Sequence, residues 1–209
     1  MSRWLDVPLA DYEGHMTAAG VEQLAPLVEL FRLALTRVQP PSLAILGIAG
    51  GNGLEAIDTQ VTRRILGIDI NADYLRAVAS RHPSLQGLEL LHHDLAQSPL
   101  RQPPVDLVHA ALVFEHAGTG QCLDNALALV KPGGCLSVVL QLPSDTQAGV
   151  APSGFTSLQA LKESFQLIDP AWLTATLANR GCKLEYETRH ALPSGKAFWL
   201  GVFKRELTR

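Results

Sequence analysis

Four glycines, three carboxylates and a histidine hold most of the chemistry that can be read from this chain. Gly47, Gly50, Gly51 and Gly53 cluster within LAILGIAGGNGLEAI, residues 43–57, with Ala49 and Asn52 between them, and Asp69, Asp94, Glu115 and His116 follow. Glycine tolerates positive φ and lets a ligand approach the backbone with no Cβ in the way, so a glycine-rich turn that opens a helix suits a nucleotide-like ligand. Carboxylates only accept hydrogen bonds. Asp69 is suited to take them from ribose hydroxyls and Asp94 from an exocyclic amine such as that of adenine. His116, with an ordinary imidazole pKa of about 6.5, is the residue type for proton transfer near neutrality.

The spacing says what must position these groups. Gly50 to Asp69 is 19 residues, Asp69 to Asp94 is 25 and Asp94 to Glu115 is 21, each close to one strand plus one crossover connection. In a doubly wound sheet the C-terminal strand ends share one edge, and ligands bind there at the switch point. The glycine turn and the carboxylates are therefore expected to converge on one crevice.

Apolar runs supply the strands. Leu43 to Ile48 reads as a buried parallel strand, followed by the turn and a helix through about Asp58. A second strand, RILGIDI, spans 64–70 and ends beside Ile70; Asn71 caps a helix that must stop before Pro83. LELLHHDL, 88–95, is a third strand delivering Asp94 and Leu95, and VDLVHAALVF, 105–114, a fourth. A helix carrying Leu123, Leu127 and Val130 leads through the KPGG turn to a fifth strand over 135–142. Residues 143–156 read as a surface loop with the character of a lid, followed by a short helix at 157–165. Asp169, Pro170 and Gly181 frame a further helix, and two strands near 182–190 and 196–205 close the sheet as an antiparallel hairpin.

Upstream, residues 1–16 read as an irregular arm with an unusual concentration of functional groups: Trp4, Tyr12, Glu13, His15 and Met16. From Thr17, Val21, Leu24, Val28, Phe31, Leu35 and Val38 form one helical stripe, which Pro26 kinks or restarts. His15 and Tyr12 are candidates to face a bound substrate from the arm. Trp172 and Trp199 are expected in the core.

Composition bounds the rest. A chain of 209 residues suits one domain, with 1–40 as arm and helix and 41–205 as core. Hydrophobic residues make up 47%, but no window reaches the length of a membrane span and the N-terminus lacks a signal-peptide core, so a cytoplasmic protein is expected. A formal charge of −3 without a basic run argues against nucleic acid as partner. Cys122, Cys135 and Cys182 are scattered and read as buried thiols. His92 and His93 are adjacent on a strand and point to opposite faces, so no metal site is expected.

Taken together, this order of motifs resembles the class I S-adenosylmethionine-dependent methyltransferases over roughly residues 41–205. The glycine positions of that family correspond to Gly47, Ala49, Gly51 and Gly53; Gly47 stands where the family usually has an acid, and Ala49 replaces its first glycine. Asp69 matches the ribose-binding acid, Asp94 the adenine-binding acid, FEH at Phe114–His116 the family's LEH, and KPGG its turn before the fifth strand. The resemblance implies a Rossmann-like methyltransferase fold: an α/β, doubly wound, seven-stranded and mostly parallel sheet with an antiparallel C-terminal hairpin. It implies S-adenosyl-L-methionine as cofactor, held by Gly47, Ala49, Gly50, Gly51, Asn52, Gly53, Asp69, Ile70, Asp94 and Leu95, with His116, His15 and Tyr12 as the catalytic candidates. The acceptor is expected to be a small molecule, and the oligomeric state is left open. Two rivals share these residues. Gly51, Gly53 and Ala56 also satisfy the G-x-G-x-x-A of an NAD(P)-dependent oxidoreductase, and departures at Gly47 and Ala49 suit a binding module without catalysis.

Overall fold

The computed structural model describes residues 2–144 and 149–207. Seven strands form one sheet in the order β3-β2-β1-β4-β5-β7-β6. They are β1 (Ser42–Leu46), β2 (Arg64–Asp69), β3 (Leu88–His92), β4 (Val105–Ala111), β5 (Val130–Gln141), β6 (Cys182–Ala191) and β7 (Ala197–Arg205). The first five are parallel, whereas β7 runs antiparallel to β5 and β6 antiparallel to β7. The predicted doubly wound sheet with its terminal hairpin is the observed one.

Alternation along the strands feeds two apolar layers. On one face Leu43, Ile65, Leu107 and Val139 pack with Leu30, Phe31 and Leu35 of α2 (Leu24–Val38) and with Leu75 and Val78 of α3 (Ala72–Arg81). On the other, Leu46, Leu66, Val108 and Val138 pack with Leu123 and Ala126 of α5 (Gln121–Leu129) and with Leu173 and Leu177 of α6 (Pro170–Ala178). The caps expected for two of these helices form: Asn71 Oδ1 accepts from Asp73 N at 3.0 Å, and Asp169 Oδ1 from Ala171 N at 3.0 Å.

Several local expectations are corrected. The arm is helical: a 3-10 turn at Arg3–Asp6 is followed by α1 (Leu9–Thr17), so Thr17 ends a helix instead of starting one. Val21 lies in the connecting turn and is still buried, which is why it joins the apolar stripe in sequence without belonging to α2. Pro26 is the third residue of α2, where its missing N–H costs nothing. After the glycine turn there is no α-helix but a single 3-10 turn, Leu54–Ala56. Competing local bonds explain its brevity, since Asp58 Oδ1 accepts from Gln60 N and buried Thr62 donates to Pro40 O, folding the connection back toward β2. Strands β3 and β4 end earlier than predicted, leaving Asp94 in a loop and Phe114–Ala117 as a one-turn helix, α4. The KPGG segment lies within β5 as an irregularity, opposite the register shift between Val105 and Leu107. Trp199 is buried, but Trp172 is 47% exposed on the outer face of α6. The loop predicted over 143–156 lies partly outside the described residues, at 145–148.

A third, smaller cluster sits over the C-terminal edge of the parallel strands. Val7 packs with Leu158 and Leu161 of a 3-10 segment at Thr156–Glu163, flanked by Trp4, Tyr12 and Phe155. The arm and the segment after β5 thus roof the same edge.

Candidate functional site

The edge begins with backbone in the left-handed region. Gly47 has φ +64, Ala49 +48, Gly51 +83 and Gly53 +91, and Leu112 at the tip of β4 has +56. Ala49 and Leu112 carry side chains in a conformation that L-residues adopt at a cost, a feature that clusters at ligand sites. A Cβ on Gly47 would lie 3.0 Å from Val113 Cγ2, so φ and space both disfavour the acid that the family pattern would put there. Asp69 holds the bend. Its Oδ2 accepts from Ala49 N at 2.9 Å and its Oδ1 from Asn71 N at 2.8 Å. Burial pushes its carboxyl upward in pKa, opposed by those N–H bonds. Each carboxylate oxygen has a second lone pair, so Asp69 can still accept from a ligand.

A cavity of about 390 Å3 lies over this edge, within the ~300–1,000 Å3 usual for small-molecule sites. Gly47, Ala49, Asp69, Ile70, Asp94 and Leu95 line it from β1, β2 and the loop after β3. Asp94 is steadied by Ala96 N at 2.9 Å and by Gln97 Nε2 at 2.7 Å. Gly50, Gly51 and Asn52 face a neighbouring open groove with Arg81 and His82. Arg81 pairs there with Glu13 and donates to Gly50 O at 3.1 Å. Gly53 faces neither space: a Cβ on it would meet Phe31 Cδ1 at 3.0 Å. The predicted cofactor set is therefore divided between two surfaces. The glycine turn also lacks the helix N-terminus expected of it, since Gly53 N donates to Glu55 Oε2 at 3.1 Å and only the 3-10 turn follows. A pyrophosphate would find no helix dipole there.

His116, His15 and Tyr12 line the other side of the cavity. His116 packs edge-on between Trp4 and Phe165, with ring centroids 5.0 and 5.2 Å away. Burial pushes its pKa down to about 4, and its Nδ1 is buried without a partner. His15 is 6% exposed, its Nδ1 2.8 Å from Ser153 Oγ; burial, and then the charge of Lys196, lower its pKa. The Tyr12 hydroxyl is pushed up by burial, then by Asp69 and Glu13, and stays neutral. Tyr74 fixes the roof by donating to Val7 O at 2.9 Å, and Asn71 Nδ2 by donating to Trp4 O at 3.0 Å.

Glu115 does not join the cavity. It is 1% exposed, its Oε1 accepts from Gln141 N at 2.9 Å, its Oε2 has no partner, and burial pushes its pKa up to about 7. His190 lies 3.9 Å from Glu29 and does not line the cavity. Sequence reasoning missed Lys196, which lines it and is 2% exposed, with its pKa pushed down to about 8 by burial. The signal was topological. An antiparallel β7 must begin where β5 ends, so the residue preceding it reaches the ligand edge; Leu142 N donating to Ala197 O at 2.9 Å shows that return.

A family model described as a methyltransferase domain matches residues 45–136. Among solved structures, the N-methyltransferase NodS from Bradyrhizobium japonicum WM9 with S-adenosyl-L-homocysteine superposes with a TM-score of 0.66 at 14% identity, covering 88% of this chain and 87% of that one. Magnesium protoporphyrin IX methyltransferase from Synechocystis PCC 6803 gives 0.69 at 11% identity, covering 94% and 93%. The CcbJ methyltransferase from Streptomyces caelestis gives 0.68 at 14% identity over 99% of both chains. No curated protein sequence matches this one.

Proposed function

We propose that the chain is a class I S-adenosylmethionine-dependent methyltransferase, a reading supported by the methyltransferase-domain match over residues 45–136 and the fold shared with solved methyltransferases, and that its roofed cavity holds the cofactor against Asp69 and a small-molecule acceptor against His116. One observation carries this reading: the cavity joins Asp69 and Asp94 on one wall to His116 on the other. In it, Asp69 accepts from the ribose hydroxyls and Asp94 from the adenine amine. Gly47 and Ala49 let the cofactor approach the bend, and Ile70 and Leu95 flank it. Gly50, Gly51, Asn52 and Gly53 serve the same end indirectly, by holding the turn in shape.

S-adenosylmethionine supplies an electrophilic methyl group on a sulfonium. The protein's part is alignment, exclusion of water and management of one proton. The roof of Trp4, Tyr12 and Phe165 excludes water. His116, neutral above pH 5 because burial holds its pKa near 4, takes the acceptor's proton as the methyl arrives. His15 and Tyr12 orient the acceptor from the arm.

Residues 1–209 work as one domain in this reading, in the cytoplasm and without nucleic acid. No helix among the described residues is long and apolar enough to cross a membrane. Calorimetric titration with S-adenosylhomocysteine and with NAD tests the assignment. The homocysteine compound is expected to bind at one site, and Asp69→Asn to weaken it about tenfold by removing charge-assisted bonds. Binding of NAD alone, or equal affinity in a folded Asp69→Asn protein, would refute the site.

A further inference from the structure

Lys196 is the least explained group in the cavity. It sits just ahead of β7, and its Nζ donates to Gly149 O at 2.7 Å and to Gln141 Oε1 at 3.4 Å. Both acceptors are neutral. An ammonium has three N–H groups, and among the described residues no carboxylate pairs with this one. A buried cation without a counter-charge costs stability, and proteins ordinarily pair it or leave it in water. Here the cost is compounded, because the charge of Lys196 also depresses His15. Two basic groups thus share one end of the cavity, and the ammonium makes the charged form of His15 harder to hold.

That end is set apart from the proposed cofactor wall by the sheet order. Asp69 and Asp94 lie at the tips of β2 and β3, whereas Lys196 and Gln141 lie at β7 and β5, with β1 and β4 between them. Met16, Val150, Leu158 and Leu161 are among the apolar side chains that line the cavity, with Gln23 and Ser164 as polar ones. A ligand matched to this end has an apolar body and one anionic oxygen.

Building on the reading above, we propose that Lys196, helped by His15, forms a subsite for a carboxylate of the methyl acceptor, so that the natural acceptor is an apolar or aromatic carboxylic acid. The bound carboxylate supplies the counter-charge that Lys196 lacks among the described residues and takes its third N–H. Gln141 holds the ammonium in place: its Oε1 accepts from Nζ while its Nε2 donates to the same Gly149 carbonyl at 3.0 Å.

The test uses the full chain saturated with S-adenosylhomocysteine and three probe pairs: benzoate, phenylacetate and cinnamate, each against its neutral amide, with dissociation constants read by ligand-observed NMR. At least one acid is expected to bind tenfold or more tighter than its amide. Lys196→Met is expected to erase that preference and to leave the affinity for S-adenosylhomocysteine within twofold, while Lys196→Arg keeps part of it. Lys196→Gln, which retains a donor for Gly149 O without the charge, serves if the methionine variant does not fold. No preference in any pair, or a preference that survives both neutral variants, overturns the proposal. Loss of S-adenosylhomocysteine affinity in Lys196→Met with the acid preference unchanged overturns it too, by assigning the ammonium to the cofactor's own carboxylate. Failure of S-adenosylhomocysteine to bind the wild-type chain is a different result, which removes the cofactor reading on which the subsite rests.

Discussion

At the scale of single residues, the edge of this sheet separates groups that look alike in sequence by how each is buried. Asp69 is a carboxylate tied to two backbone N–H groups and facing the cavity, whereas Glu115 is a carboxylate with one bond and an orphan oxygen behind it. Burial raises Glu115 from 4.5 to about 7, so the folded protein holds a proton that the unfolded chain releases near 4.5. The stability this confers is complete below the unfolded value and is lost as pH rises through 7. Glu115→Gln, which is neutral at every pH, is therefore expected to melt close to wild type at pH 4.5 and roughly 5–10 °C above it at pH 8.5, from about 2–3 kcal/mol of avoided ionisation. Melting curves across that range check it, and a difference that does not change with pH would show that the Glu115 carboxyl has the same pKa folded and unfolded.

At the scale of elements, the roof rests on few contacts. The arm reaches the sheet edge through the Val7, Leu158 and Leu161 cluster, the Tyr74 and Asn71 bonds, and a hydrogen bond from Ser157 Oγ to Asp11 Oδ2 at 2.6 Å. Trp4 covers His116 directly. Trp4→Ala should let water reach the imidazole, so the midpoint of His116 is expected to rise from about 4 toward 6.5, as followed by NMR titration of its Cε1 proton. An unchanged midpoint would show that the depression comes from Phe165 and the strand tips alone. The elements also show where sequence reading stops. Strands and caps were legible because period-two burial and side-chain bonds such as those of Asn71 and Asp169 are local. The absent helix after Gly53 was not, since the bond from Thr62 to Pro40 that shortens the connection joins residues 22 apart. The arm's helix was hidden for a similar reason: it is stabilised by the segment at 156–163, which nothing near residues 9–17 foretells.

At the scale of the whole molecule, one design rule places every candidate group: parallel strands end at a common edge, and an antiparallel last strand starts there. The first half of the rule made the placement of Asp69, Asp94 and His116 at that edge readable from the spacing of the strands, while Ile70 and Leu95 entered only through the family resemblance. The second half brings in Lys196, which no motif marks. The glycine turn was over-read, because Gly53 meets Phe31 and Gly50 meets the Glu13 and Arg81 pair, so packing accounts for part of what resembles ligand binding. The central claim is that cofactor and acceptor meet in the cavity between Asp69 and His116. Backbone amide NMR of the 22.5 kDa chain, recorded with increasing S-adenosylhomocysteine, tests it most directly. The account predicts shifts concentrated at residues 47–49, 69–71 and 94–97, with weaker ones in α1 near Tyr12 and His15. Shifts confined instead to the outer groove at Gly51, Asn52 and His82, or spread over β6, would contradict it.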